Sequence, residues 1–190
     1  MKRSKVLPFI GFIVSAAFLM NLSGCASPAK DTAKRDQVES DVDVALAEFQ
    51  RKEPSAWPIV ENAKGILMCP KVAKAGFVVG VEGGTCAMRI NGKTAEYYRT
   101  SSLKAGLLAG VQSQSLLMTF NTSDALDKFR EGNRNWQVGG NLSVSVAKAG
   151  ASGKYDTKTM KDPITAFVFS EAGLMADLSL DGSTFKKLEE

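Results

Sequence analysis

The side chains that most often carry out catalysis are absent or scattered in this sequence. Its 190 residues include no histidine, which removes Ser-His-Asp triads, Cys-His dyads and histidine-based metal sites. The carboxylates after Gly65 show no paired spacing, so we interpret them as solvated surface. The stretch from Gly80 to Gly84 lacks the Gly-Lys-Ser/Thr ending of a phosphate loop and is interpreted as a hairpin turn. We expect no enzymatic activity, cofactor or metal, with a serine- and carboxylate-based hydrolase as the remaining enzymatic alternative.

The N-terminal segment, residues 1–24, has the composition of a cleavable export signal. An apolar stretch follows a cationic start and runs from Val6 to Met20. It is shorter than the roughly 20 residues that a membrane-spanning helix needs and has the length of a signal-peptide core. An uncleaved membrane anchor is the alternative. The cations at the start are Lys2, Arg3 and Lys5.

Cys25 directly follows Leu22-Ser23-Gly24, and this arrangement resembles the processing site of bacterial lipoproteins. The resemblance implies lipidation: a diacylglycerol thioether on Cys25, cleavage before it, and further acylation such as palmitate. Ala26 and Ser27 follow the cysteine and no Asp does, which implies sorting to the outer membrane. The expected product is a lipoprotein of the cell envelope, held to the membrane by its acyl chains and facing the periplasm or the cell surface.

The other two cysteines, Cys69 and Cys86, are left over once Cys25 carries lipid. Because the periplasm oxidises thiols, two remaining cysteines in an exported chain predict a disulfide. Two independent buried thiols are the alternative. A nucleophilic cysteine is disfavoured, since no histidine is present to act as its base.

Most of the formal net positive charge of the chain lies in the N-terminal segment, residues 1–24. Removal of residues 1–24 lowers the formal net charge from +4 to +1, because Lys2, Arg3 and Lys5 leave with it. A nucleic-acid partner is therefore not predicted. What remains has the length of one domain with one core, expected to be monomeric. Residues 25–35 are small and polar and are interpreted as a lipidated tether, and residues 36–190 as a single domain.

The domain is expected to begin with two helices within residues 36–63. Apolar residues recur at helical spacing from Val38 to Phe49 in a helix over 36–52 that Pro54 closes. Its first turns are acidic, and Arg51 and Lys52 lie at its end. A second helix is predicted from Ser55, as N-cap, to about Ala63.

The region 65–190 has the pattern of a β-sheet of about nine strands. Asn91-Gly92 is a strong hairpin signal, and Trp136 to Val146 alternates with a period of two, which predicts one long, curving strand. One short helix capped by Ser123 interrupts the sheet. The fold class is therefore α+β, with helices packed on a curved, mostly antiparallel, barrel-like sheet. The other predicted strands are 66–69, 76–81, 85–90, 94–100, 103–112, 114–120, 164–170 and 174–180.

Several motifs in this β-rich region resemble the SYLF domain family. They are Lys74 to Gly80, Tyr97 to Thr100, the Gly106/Gly110/Gln112 spacing, Asp124 to Phe129 and Gly173 to Leu180, and the resemblance covers about 56–190. Eukaryotic relatives bind phosphoinositides and membranes, and some act on actin, whereas bacterial relatives are mostly exported proteins. The resemblance implies a non-enzymatic module. The acid-rich helix before the domain departs from the amphipathic, basic segment through which eukaryotic relatives bind membranes.

The resemblance implies binding of lipid headgroups or envelope partners, and we expect anionic lipid at four cations around the first two hairpins. These are Lys71, Lys74, Arg89 and Lys93. A solvated basic surface is the alternative for these residues. For the whole protein, the alternative is a structural lipoprotein that supports envelope integrity without a small ligand.

Overall fold

The structure is a computed structural model that describes residues 28–76, 79–105, 112–131, 135–147, 161–170, 173–174 and 180–189. The helices are α1 (Pro28–Lys52), α2 (Trp57–Asn62) and α3 (Ser123–Glu131). No helix among the described residues is long and apolar enough to cross a membrane. The strands are β1 (Gly65–Gly76), β2 (Val79–Ile90), β3 (Lys93–Ala105), β4 (Gln112–Phe120), β5 (Asn135–Gln137), β6 (Ser145–Val146), β7 (Ile164–Ser170), β8 (Gly173–Leu174) and β9 (Thr184–Lys187).

The strands form one curled sheet in the order β5-β9-β3-β2-β1-β4-β7-β6, with β8 paired to β7. All pairs are antiparallel except β6 with β7. The predicted α+β class with a curved, mostly antiparallel sheet is confirmed. The long central strands alternate between two faces, and each face is covered by a different part of the chain.

The outer face of the sheet, defined here as the face that α1 and α2 cover, carries one of two apolar clusters. Val42, Ala45 and Phe49 of α1 are buried against it, as the helical spacing predicts. Phe49 packs on Phe167 and Phe169 of β7, with ring centroids 5.1 and 5.2 Å apart. Helix α1 therefore lies across several strands.

The inner face, defined as the opposite face, is covered by α3 and the C-terminal segment. Phe129 of α3 is 1% exposed and contacts Tyr98, Phe120 and Phe185, with ring centroids 5.0, 4.9 and 6.3 Å away. The buried side chains Val138, Leu142 and Leu180 complete this cluster. The inner face is thus a packed core.

The predicted disulfide is present between Cys69 of β1 and Cys86 of β2, with Cα atoms 4.0 Å apart. The residues before it pair as Leu67 with Met88 and Met68 with Ala87, so the cysteines face each other one step further along the same register. Both are fully buried in the inner-face cluster.

Strand β1 does not end at Pro70, as predicted, but continues to Gly76. The register shifts between Cys69 and Val72, and proline is tolerated at such a bulge because no ladder hydrogen bond from its nitrogen is needed. Here the carbonyl oxygen of Pro70 accepts a hydrogen bond from Ser115 Oγ at 2.8 Å. The bulge therefore absorbs the proline within the strand.

The glycines from Gly80 to Gly84 were interpreted as a hairpin turn, and this was wrong, because they lie within the continuous strand β2. A Cβ at Gly84 would come within 2.5 Å of the Lys71 carbonyl oxygen. The β1 bulge thus approaches β2 too closely for a side chain at position 84. The glycine serves this close approach.

The single long strand predicted from Trp136 to Val146 is also wrong, since β5 ends at Gln137 and β6 begins at Ser145. The chain turns at Gly139, which has φ +80°. The Gln137 carbonyl oxygen accepts hydrogen bonds from the amides of Gly140, Asn141 and Leu142. Val138 and Leu142 lie on either side of this tight turn, and both are buried. Their burial explains the alternating apolar pattern of the sequence without a continuous strand.

The helix ends differ from those predicted. Helix α1 begins at Pro28 instead of Asp36, so residues 28–35 of the predicted tether are helical. The N-cap of α2 is Ala56, which makes no side-chain cap hydrogen bond, instead of Ser55. In α3 the amide of Ala125 donates to Thr122 Oγ1, so the cap is one residue before the predicted Ser123.

Candidate functional site

The acidic residues of α1 bind cations and hydroxyls of the outer face. Glu39 accepts hydrogen bonds from Arg89, Thr94 Oγ1 and Tyr97 Oη, each at 2.8 Å. Asp43 pairs with Arg89 Nη1 at 2.6 Å. These contacts fix the middle of α1 over β2 and β3. Arg89, predicted to bind lipid, is therefore engaged by two carboxylates.

The other three predicted lipid-binding cations lie apart from one another. Lys71 pairs with Asp41 at 2.8 Å, again from the outer face to α1. Lys74 forms an ion pair with Glu82 at 3.1 Å, and both side chains are about nine-tenths buried. Lys93, at the start of β3, is exposed. The structure therefore does not gather these four cations into one free surface.

Glu39 and its partners are strongly coupled. Burial alone would raise the pKa of Glu39, but hydrogen bonds from Tyr97, Arg89 and Thr94 outweigh it and hold the pKa below the ordinary 4.5. Burial and the bond to Glu39 raise the pKa of Tyr97 to about 12. This set of contacts stabilises the docked helix at neutral pH and has no group poised for proton transfer there.

A second buried carboxylate, Glu96, joins three elements. It accepts hydrogen bonds from Tyr98 Oη at 2.7 Å and Arg130 Nη2 at 3.1 Å, and it pairs with Lys187 at 2.7 Å. Burial raises the pKa of Glu96, whereas these three partners lower it, and the net shift is downward. The cluster connects α3 and β9 to β3, which is a structural role.

A part of the outer face that α1 leaves uncovered carries several exposed cations. A groove of about 460 Å³ lies between the first turns of α1 and strands β2 and β3. Lys34 and Arg35 line it from the helix and Arg99 from β3, and all three are exposed. The exposed Glu189, which makes an interaction of its own, also lines the groove.

Strand pairing adds a fourth cation beside this groove. Arg99 of β3 lies directly opposite Lys186 of β9, so both side chains point to the same face, and both are exposed. Like charges directly opposite each other in a sheet repel, and an anion held between them would relieve that repulsion. We name Lys34, Arg35, Arg99 and Lys186 the cationic groove.

The side chains around the cationic groove hold its shape. The guanidinium of Arg35 lies 5.4 Å from the centre of the Tyr97 ring, and the hydroxyl of Tyr97 is fixed by Glu39. Val38 and Leu188 supply apolar walls. The arrangement suits a negatively charged group on an apolar stem, such as a lipid headgroup.

Sequence reasoning missed most of this site for identifiable reasons. Lys34 and Arg35 were placed in the tether, although the helical spacing that runs from Val38 could have been extended backwards to them. Arg99 lies in a predicted strand but was not among the cations predicted to bind lipid, and Lys186 lies in a strand that was not predicted. Among the described residues, no cluster of His, Cys, Asp and Glu could hold a metal ion.

Comparison with known proteins supports the family resemblance. Residues 101–190 match the family described as "Ysc84: Las17-binding protein actin regulator". The chain is 27% identical over 138 residues to the SH3 domain-containing YSC84-like protein 1 of Bos taurus and 28% identical to that of Homo sapiens. Each alignment covers 70% of this chain and 40% of the relative. These matches support the resemblance to the SYLF domain family that the sequence motifs indicated.

Proposed function

We propose that this chain is a non-enzymatic lipoprotein of the bacterial outer membrane, acylated at Cys25, whose domain binds anionic lipid headgroups in the cationic groove. Cys25 lies outside the described residues, and its lipidation rests on Leu22-Ser23-Gly24-Cys25. The observation that carries the proposal is the cationic groove at the end of α1 nearest to that cysteine.

The short chain between the anchor and the groove supports this proposal. Two residues lie between Cys25 and Pro28, so the three Cα–Cα steps from one to the other reach at most roughly 10 Å. Arg35 lies seven positions after Pro28 in α1, a further ~10 Å along the helix axis. The cationic groove is therefore within about 20 Å of the acylated sulfur, close enough to contact the same membrane surface.

Weak binding in the groove suffices for a tethered domain. A short link raises the effective concentration of the membrane surface to the millimolar range. Each cation near an anionic surface contributes about 1 kcal/mol, and this attraction decays over a Debye length of roughly 8 Å at physiological salt. The acyl chains supply the anchoring, and the groove orients the domain on the surface.

The second candidate is a structural lipoprotein that binds no small ligand. The packing of α3 into the inner face favours it, because Phe129 and its neighbours occupy the place where a ligand would enter a hollow sheet. The two candidates differ in whether the outer face recognises lipid charge.

The test uses a soluble form without residues 1–27 and vesicles of phosphatidylcholine with or without phosphatidylglycerol. We expect co-sedimentation only with the anionic vesicles and release by salt. The variant Lys34→Gln/Arg99→Gln/Lys186→Gln loses three cations, about 3 kcal/mol or on the order of 100-fold in affinity.

The matched control removes the same charge elsewhere. Lys64, Lys93 and Lys161 are exposed, so Lys64→Gln/Lys93→Gln/Lys161→Gln should bind much more tightly than the groove variant. If both variants lost the same affinity, binding would depend on the net charge of the protein and not on the cationic groove. If the unmodified protein behaved in the same way with both kinds of vesicle, this result would favour the structural lipoprotein.

A further inference from the structure

Two exposed apolar side chains continue the face on which the cationic groove lies. Leu103 of β3 is 74% exposed and Val81 of β2 is 56% exposed. They lie directly opposite each other in the β2–β3 register and line a groove of about 510 Å³ with Ser101 and Thr184. Together, these two adjacent side chains form an exposed apolar patch, and a partner that covered the patch would remove it from water.

Strand alternation places this pair on the same side of the sheet as the cations. From Arg99, the side chains of Ser101 and Leu103 follow on the same face of β3. At about 3.3 Å per residue, Leu103 lies roughly 13 Å from Arg99. Between them, the hydroxyls of Ser101 and Thr184 are 2.9 Å apart. The face therefore changes from cationic through hydroxyl-bearing to apolar along one strand.

We infer that Val81 and Leu103 insert into the lipid bilayer when the cationic groove binds headgroups, so that the part of the outer face that α1 leaves uncovered lies on the membrane. The occupant is the surface of the membrane that holds Cys25, because cations beside exposed apolar side chains match its headgroups and acyl region. The inference rests on the proposed function and adds the orientation of the domain.

The experiment places a tryptophan at Leu103 in the full acylated protein, reconstituted in phosphatidylcholine/phosphatidylglycerol vesicles with brominated acyl chains. Trp57 and Trp136 contribute a background that the unmodified protein measures. The matched control is Val44→Trp, since Val44 is 65% exposed and lies on the flank of α1 that faces Lys71 and Ser115.

We expect emission from Leu103→Trp to shift to shorter wavelength and to be quenched several-fold more strongly than emission from Val44→Trp. Equal or absent quenching at the two positions overturns the inference. If the cationic groove still proves selective for anionic vesicles, the proposed function stands without insertion. A dimer that dissociates on Leu103→Ser, with no quenching at position 103, means that a second copy covers the pair, and this also overturns the inference.

Discussion

At the scale of single residues, Glu39 connects the helical layer to the sheet. Its carboxylate accepts hydrogen bonds from three side chains of the β2–β3 hairpin. Among them, Arg89 has a raised pKa: burial would lower it, but Asp43 and Glu39 outweigh this. Hydrogen bonds to charged groups contribute more than neutral ones. Glu39 is therefore the contact through which pH acts on the docking of α1.

The first prediction concerns this pH dependence. The pKa of Glu39 is lowered in the folded protein, so its contribution to stability is present above the ordinary value of 4.5 and is lost as the pH falls through the folded pKa. Glu39→Gln should lower the free energy of unfolding by about 1 to 3 kcal/mol at pH 7. The loss should shrink as the pH falls below 4.5. Urea unfolding over this range measures it.

The control for Glu39 is Asp127→Asn on α3, where the carboxylate is exposed. This variant should follow the wild-type curve. The Glu39→Gln variant should still lose some free energy of unfolding at acid pH, because the pKa of Glu96 is also lowered. A constant difference between Glu39→Gln and wild type at every pH would contradict the assigned role of the Glu39 charge.

At the scale of elements, the disulfide joins the two strands at the centre of the sheet. Cys69 and Cys86 are 17 residues apart in sequence, and closing a loop of this size stabilises the folded state by roughly 3 kcal/mol. Cys69→Ala/Cys86→Ala should lose about this free energy of unfolding. In the wild-type protein, reduction should cause a similar loss, whereas the double variant should not respond to reductant. Identical wild-type stability with and without reductant would contradict this prediction.

The elements that were predicted correctly have strong local signals. The spacing from Val38 to Phe49 gives the buried stripe of α1, and Asn91-Gly92 forms the β2–β3 turn with φ values of 52° and 75°. These features follow from chain-local preferences. The cysteine pairing was also predicted, from the expected compartment instead of from local geometry.

The elements that were missed depend on contacts distant in sequence. In the sequence, Gly84 has the pattern of a turn residue. In the folded protein, a glycine is needed there because the carbonyl of Lys71 lies too close for a side chain. Strand β9 has four residues, of which only Phe185 is buried, and this pattern is too short to recognise in the sequence. The strand forms because it pairs with the edge of β3. The cations of Lys71 and Arg89 looked available because the acidic face of α1 could not be docked from sequence.

At the scale of the whole molecule, the proposed anchoring to the membrane depends on one sulfur atom, that of Cys25. Cys25→Ser should prevent diacylglycerol attachment and leave a precursor that retains residues 1–24. Intact-mass measurement and membrane fractionation of the expressed protein test this, with Cys69→Ala/Cys86→Ala as the control that keeps Cys25. Normal cleavage and acyl mass in Cys25→Ser would refute the lipoprotein assignment.

The docking of α1 also has a consequence for the order in which the chain folds. Lys52 at the end of α1 donates to the carbonyl oxygen of Ser170, 118 residues later, and Phe49 packs on Phe167 and Phe169. During synthesis, the helix therefore leaves the ribosome long before the β7 part of its packing surface exists, whereas its partners in β1, β2 and β3 follow sooner. Contacts this distant in sequence form slowly, because loop closure must come first. The N-terminal helix thus completes its packing only after β7 has been made.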